Sequence, residues 1–412
     1  MPRSIFTNRG DFMTFNTKAL IAIIAVNFVT IAGFGFLFPI FAVYGKAIEA
    51  NATEIALSIA SFSLGNLIAN PIWGKASDQF GRKRLLVISL AAGAVITALN
   101  VLAVTPWALI FARFVAGLAA GSFSIAFAVA ADISTPENRT RVMGTVGAGF
   151  SLGFIMGPAI GGFVAGGDPG PEAFARVCYA GAALMLIGAV ITQIFLPETR
   201  PEDDGSAEGE NAPQQMSRWA VLRDPVLGII ILLSLVSSIA MAKMEATFAI
   251  FADDVLSLSP FGIGLYFAAM GGIGVIGQAG AAGFLSRKIG ERGMLFVSLG
   301  FLSLGMFVLA TSQERVQAFI GMCTIAIGFS MITPAMSGLT SLSAPPRAQG
   351  VSLGLVQSSG SLGRVIGPAF AGVIYDMAGP PAPFYVGSVI LLICLIAMGV
   401  WMRVVPPLAK PT

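Results

Sequence analysis

Four charged residues, Arg113, Lys243, Glu245 and Arg364, lie inside long apolar stretches, where an ionised side chain is expensive and so points first to function. Glu245 is the carboxylate among them. A carboxyl group in an apolar helix takes up and releases a proton as its surroundings change, and a nearby guanidinium sets how readily. Such a group can serve proton exchange, or it can be half of a static structural pair. Arg113 lies six residues past Trp107 and Glu245 six before Phe251, about 9 Å along a helix in each case. Arg364 is deeper, ~20 Å from the inner end of its helix. A guanidinium does not readily shed its proton, so Arg364 must be paired or hydrated, with Glu245 or helix-end carbonyls as the options. Lys243 stands two residues from Glu245, faces elsewhere on the helix, and is expected to snorkel outward.

The elements that hold these charges are read from composition. Of 412 residues, 56% are hydrophobic, 11% are charged and 49 are glycine. That glycine density suits membrane helices approaching backbone to backbone. The charges form short islands between apolar runs of about 20 residues, the length that crosses ~30 Å of hydrocarbon. The pattern predicts an all-α integral membrane protein with twelve spans near 18–44, 53–74, 84–104, 107–131, 142–166, 174–196, 226–251, 261–284, 293–311, 316–340, 351–375 and 383–403. With the N-terminus inside, 18 of the 24 Lys and Arg fall on inner segments and three on outer loops, with the rest in spans. The positive-inside rule then places both termini in the cytoplasm. A net charge of +3 gives no indication of nucleic acid as a partner, because the basic residues are sorted by membrane side. Cys178, Cys323 and Cys394 lie far apart within spans, so neither a disulfide nor a metal site is expected. The first 17 residues lack a signal-peptide core with a cleavage site.

The chain repeats itself. Gly153, Gly157, Pro158 and Gly162 recur as Gly363, Gly367, Pro368 and Gly372, displaced by 210 positions. Pro136 and Gly144 recur as Pro346 and Gly354 at the same displacement, and Gly74 and Gly81 as Gly283 and Gly290 at 209. Six spans return the chain to its starting side, so the repeats are parallel and two-fold, a design that encloses a path at their interface. The stretch 198–220 is rich in Pro, Gly, Ser, Gln and acid and is read as a flexible cytoplasmic linker. The expected organisation is therefore a tail at 1–17, a six-helix bundle at 18–197, the linker at 198–220, a second bundle at 221–404 and a tail at 405–412.

The turn after the second span reads Gly74-Lys75-Ala76-Ser77-Asp78-Gln79-Phe80-Gly81-Arg82-Lys83-Arg84. Gly74 permits close helix approach and Gly81 a tight turn, and Asp78 can meet the positive end of a helix. Here the chain resembles the major facilitator superfamily, whose loop reads G-x-x-x-D-x-x-G-R-[RK]; with the twelve-span layout, the likeness covers the whole length. The resemblance implies two pseudo-symmetric six-helix bundles. It also implies a cytoplasmic gate of Gly74, Asp78, Gly81, Arg82, Lys83 and Asp132, in which Arg82 meets Asp132 and Asp78 meets the eleventh span. Arg287 stands at the position equivalent to Asp78, so the second gate is expected to be degenerate or absent.

The fifth span, with Gly149, Gly153, Gly157, Pro158, Gly161 and Gly162, resembles the motif of drug:proton antiporters in that superfamily. Its four-residue stripe lies on one face, and the glycine-rich eighth span (Gly271, Gly272, Gly274, Gly277, Gly280) is the expected partner. Pro39 with Gly33 and Gly35, Leu196-Pro197-Glu198-Thr199, and Arg113-x-x-x-Gly117-x-x-x-Gly121 are similar to that group as well. In the superfamily the first, fourth, seventh and tenth spans line the central cavity. The resemblance therefore gives cavity candidates Asn27, Thr30, Phe34, Phe38, Arg113, Glu245, Phe248, Met331 and Met336; Arg364, in the eleventh span, is a separate candidate, as a contact for an anionic substrate or as a structural group. Proton coupling falls to Glu245, Arg113 and Asp132, with Arg113 tuning Glu245. The chain departs from tetracycline-type relatives in carrying Thr30 where many have an acid, and it has no histidine. The reading is a secondary exporter of hydrophobic or cationic small molecules driven by proton entry through rocker-switch alternating access. It needs no cofactor beyond the gradient, and its partners are substrate, protons and lipid, acting as a monomer in the bacterial inner membrane. A facilitator or symporter for a metabolite, or a non-transporting sensor, are the alternatives. An enzyme is not expected, since no nucleophile–base set, metal cluster or phosphate loop is found.

Overall fold

The computed structural model describes residues 9–134, 139–166, 170–200, 218–278, 282–345 and 348–404, and all regular structure among them is helical. Residues 1–8 of the expected N-terminal tail, the C-terminal tail and most of the expected linker, together with Pro136, Gly280 and Pro346, lie outside the described residues; residues 9–17, expected as tail, are instead the start of the first helix. The first span is two helices, α1 (Arg9–Gly35) and α2 (Phe38–Ala47); the second is α3 (Ala52–Phe80) and the third α4 (Arg82–Leu99). The fourth is also two, α5 (Pro106–Ala119) and α6 (Ser122–Asp132), followed by α7 (Arg139–Ala165) and α8 (Pro171–Phe195). After the short α9 (Arg218–Arg223) come α10 (Pro225–Asp254), α11 (Pro260–Ile276), α12 (Ala282–Ala310), α13 (Arg315–Ser343), α14 (Gln349–Ala378) and α15 (Ala382–Val404). Among the described residues, nine helical stretches are long and apolar enough to cross a membrane, and Leu152–Ala165 and Pro260–Ile276 are shorter apolar helices.

Helix starts follow local chemistry. Proline opens α5, α8 and α10, where its missing N–H is no loss. Asp224 caps α10 by accepting from Val226 N at 2.9 Å and Leu227 N at 3.0 Å. Large apolar side chains such as Ile72, Phe111, Phe163, Ile194, Phe370 and Ile396 are exposed, as suits contact with acyl chains.

The chain forms two compact units. One gathers Met1–Ala50, Ser61–Glu208 and Leu258–Ala268; the other gathers Asn51–Ala60, Gly209–Ser257 and Ala269–Thr412. Each unit thus takes a short segment from the opposite half of the sequence, and the two segments are equivalent: the first turns of α3 and of α11. In the first unit, Ile23 and Val26 of α1, Leu86 of α4, Ile125 and Val129 of α6 and Val146 of α7 build a buried core. In the second, Phe251 of α10 and Phe384 of α15 meet edge to face at 5.1 Å.

The glycine stripe of α7 explains much of the first unit. A Cβ at Gly149, Gly153, Gly157 or Gly161 would fall 2.7, 2.6, 2.8 or 2.2 Å from the carbonyl oxygen of Ile24, Phe28, Ala32 or Phe36. Two rows with the same four-residue step lie at backbone distance. The partner of the stripe is therefore α1, which corrects the expectation of the eighth span. The eighth span, α11, meets the adjacent Gly162, where a Cβ would come 2.6 Å from Pro260 O. Among the glycines offered for that role, Gly272 and Gly274 face open space. The second unit repeats the device: Cβ atoms at Gly363 and Gly367 of α14 would fall 2.8 Å from Leu235 O and 2.6 Å from Ile239 O of α10.

The fourth span was expected as one helix over 107–131, yet it breaks at Ala120–Gly121. Nearby polar groups take up what the break releases. Ser89 Oγ donates to Ala119 O at 2.8 Å and accepts from Gly121 N at 3.0 Å, and Asn66 Nδ2 donates to Ala120 O at 2.7 Å. Non-helical backbone at membrane depth needs such partners. The ring of Trp73 fills the space at Gly121, where a Cβ would be 2.1 Å from its Cγ.

Candidate functional site

Three sites carry the charged chemistry. The first is the turn between α3 and α4. Gly81 adopts φ 96°, a conformation that side chains other than glycine's resist, and a Cβ there would lie 2.6 Å from Glu198 Oε2. That carboxylate fastens the turn: Arg82 N donates to Glu198 Oε1 at 2.8 Å, Lys83 N to Oε2 at 3.2 Å, and Thr199 N and Arg200 N to Oε1 at 3.1 Å. It therefore sits at the positive N-terminus of α4.

Arg82 is buried, with Nε 2.9 Å from Asp132 Oδ2, and its Nη1 bonds Ser77 Oγ at 2.7 Å and Asp78 Oδ1 at 2.5 Å. Asp78 thus meets Arg82 one helical turn away. Lys83 is half-buried and places its backbone N–H in the same carboxylate cradle. Gly74 differs from expectation. Among the described residues a Cβ there would meet nothing within 4 Å, so no close helix approach is seen at it. Glu198 and Ser77 stand within the motifs quoted from the sequence, with no partner assigned to them there; the signal for Glu198 is an acid directly after Pro197 at the end of the sixth span.

The second site is Arg113 on α5. A Cβ at Gly117 would lie 2.1 Å from Phe62 O, and one at Gly65 2.4 Å from Phe114 O, so α5 and α3 touch backbone to backbone. That approach sets the Arg113 guanidinium over the rings of Phe62, Phe41 and Phe34, at 4.6, 5.0 and 5.4 Å. Arg113 is 2% exposed, and its Nε and Nη2 are buried without a hydrogen-bond partner among the described residues. Three rings at about 1 kcal/mol each offset only part of the several kcal/mol lost on burying a guanidinium. Thr30 and Ser122 stand beside it, their hydroxyl oxygens 3.1 Å apart, while Thr30 Oγ1 also donates to Val26 O at 2.8 Å.

The third site is Glu245 on α10. Arg364 of α14 is the cation that acts on it electrostatically, brought into range by the close approach of the two helices at Gly363 and Gly367. Lys243 does not snorkel. It is 3% exposed, with its Nζ beneath Gly387 of α15, because the glycine leaves room for the stem inside the unit.

The aromatic and methionine candidates are mostly core. Phe38, Phe248, Met331 and Met336 are buried, and Asn27 is buried with Nδ2 donating to Val146 O at 3.1 Å, which ties α1 to α7. Phe34 is half-buried, 4.4 Å from the Phe62 ring and 5.0 Å from that of Phe38.

A profile of the Major Facilitator Superfamily matches residues 23–365 and 282–412. The chain is 28% identical over 375 residues to multidrug resistance protein 1 of Bacillus subtilis (strain 168), covering 91% of this chain and 94% of that protein. It is 26% identical over 367 residues to the class E tetracycline resistance protein of Escherichia coli, covering 88% of each. Among solved structures it is similar to a bacterial homolog of the human lysosomal transporter Spinster, in an inward-facing and occupied conformation. The TM-score is 0.79 at 15% identity, over 95% of this chain and 97% of that one.

Proposed function

The chain belongs to the Major Facilitator Superfamily and is a multi-pass membrane transporter that uses no cofactor and is not an enzyme, and on that premise we propose that it exports hydrophobic or cationic small molecules in exchange for protons. The relatives' names, multidrug and tetracycline resistance, support export. What supports the coupling is a carboxyl, Glu245, inside the apolar helix α10, which packs at backbone distance against α14, the helix that carries Arg364.

The exchange follows from charge. A carboxylate held by a fixed guanidinium can instead bind a proton or a cationic substrate, but not both, so proton arrival discharges the substrate. Arg364 recaptures the carboxylate when the site is empty. Alternating access by rocking of the two bundles brings Glu245 to each side in turn. The turn at Gly81, with Arg82 bound to Asp132 and Asp78, acts as the cytoplasmic gate. Asp132 serves there as the counter-charge of Arg82. Both termini lie in the cytoplasm, following the distribution of Lys and Arg, and the protein works as a monomer in the bacterial inner membrane.

Proteoliposomes with an imposed pH gradient and a fluorescent lipophilic cation test the reading. The wild type moves the cation with the gradient, and Glu245→Gln loses gradient-driven movement by about tenfold or more while downhill flux persists. Gradient-driven movement that is equal in the two proteins removes Glu245 from coupling.

A further inference from the structure

The break in the fourth span leaves a site that the transport cycle above does not use. The helix α6, eleven residues long, begins at Ser122 in the middle of the span, and no side chain caps its first turn. A helix start carries free N–H groups and partial positive charge. Arg113 lies beside it, buried, with two guanidinium nitrogens that have no partner among the described residues. Both line one cavity, shared with Thr30, Ser89 and Phe62. Among the described residues its lining carries positive charge and no carboxylate, and the Ser122 hydroxyl, an acceptor from Thr30, has its own proton to donate.

We propose that this cavity is a binding site for one small anion, a halide or a single carboxylate group, held between the Arg113 guanidinium and the N-terminus of α6. The cavity volume, about 30 Å³, suits a group of that size. A drug-sized molecule needs roughly ten times more. Thr30 supports the assignment. Its hydroxyl donates to Val26 O and towards Ser122 Oγ, so Ser122 is held as an acceptor there and keeps its own proton for a bound anion. The rings of Phe34 and Phe62 line the same cavity and lie 5.4 and 4.6 Å from the guanidinium carbon, while Nε and Nη2 are left without a partner among the described residues. The ion acts as a counter-charge that stabilises the first bundle, so this inference does not depend on proton-coupled export.

Thermal unfolding of the purified full chain tests it at constant ionic strength in sodium chloride, sodium acetate and sodium gluconate, the last being too large for the cavity. The wild type unfolds several degrees higher in chloride than in gluconate, and Arg113→Gln abolishes that difference. Protection by chloride alone identifies a free halide; protection by acetate as well identifies the carboxylate group as a ligand. Should Arg113→Gln fail to fold, Thr30→Val gives the readout, shifting the chloride concentration for half-maximal protection up about fivefold. Identical unfolding of the wild type in all three salts overturns the proposal. So does a chloride effect that persists unchanged in Arg113→Gln or, if that variant does not fold, in Thr30→Val.

Discussion

Gly81 and Gly290, 209 positions apart, each turn the chain at positive φ, 96° and 72°, and each is preceded four residues earlier by a serine, Ser77 or Ser286. In the first turn Ser77 Oγ accepts from Arg82 Nη1 at 2.7 Å. In the second, Ser286 Oγ donates to Glu291 Oε1 at 3.3 Å, because an acid stands where the first repeat has Arg82. The equivalent of Asp132, at a displacement of 210, is Leu342. Duplication kept the backbone of the turn, which glycine alone relaxes, and let its charges diverge. The first turn holds a buried ion pair, Arg82 with Asp132, so there removal of one side chain strands a buried charge.

The largest contrast is therefore expected at the aligned pair Arg82 and Glu291. Arg82→Ala leaves Asp132 buried and unpaired and destabilises by about 3 kcal/mol, whereas Glu291→Ala loses one long hydrogen bond worth about 0.5 kcal/mol. Thermal unfolding of the two purified variants measures both, and comparable losses would mean that the first turn holds no special pair. A smaller contrast concerns the glycines. Gly81→Ala and Gly290→Ala both strain the backbone by about 1 kcal/mol. At Gly81 the added Cβ also pushes on Glu198, while at Gly290 it meets nothing within 4 Å. Gly81→Ala is thus the worse by about 1 kcal/mol, and a reversed order breaks the comparison. The smallest effect is Glu198→Gln, which keeps acceptor oxygen but loses the charge at the start of α4, at about 0.5 kcal/mol in the same assay.

Much of this was legible in the chain. Span length and the islands of charge gave twelve positions for helices, since the bilayer dictates both. The repeated glycines at 153, 157, 363 and 367 marked helix contacts, because only a missing Cβ allows backbone distance. Which helix they met was not legible. A stripe shows that something comes close and not what, and α1 carries its complementary row as carbonyls, Ile24 to Phe36, which leave no signature in residue type. The break at Ala120–Gly121 has no proline to announce it and depends on Ser89 and Asn66 from other helices. Glu198 reaches Arg82 across 116 positions of sequence. Lys243 was misjudged because local spacing shows which face a residue takes, while the room that holds it comes from Gly387 on another helix.

The central claim is that substrate and proton compete for Glu245. Proton release on substrate binding tests it most directly, read with a pH-sensitive dye as a lipophilic cation is added to weakly buffered purified protein. The account predicts about one proton released per cation bound by the wild type near the pH where Glu245 is half protonated, and none by Glu245→Gln. Equal release from the two proteins, or cation binding by the wild type with no release at any pH, contradicts it.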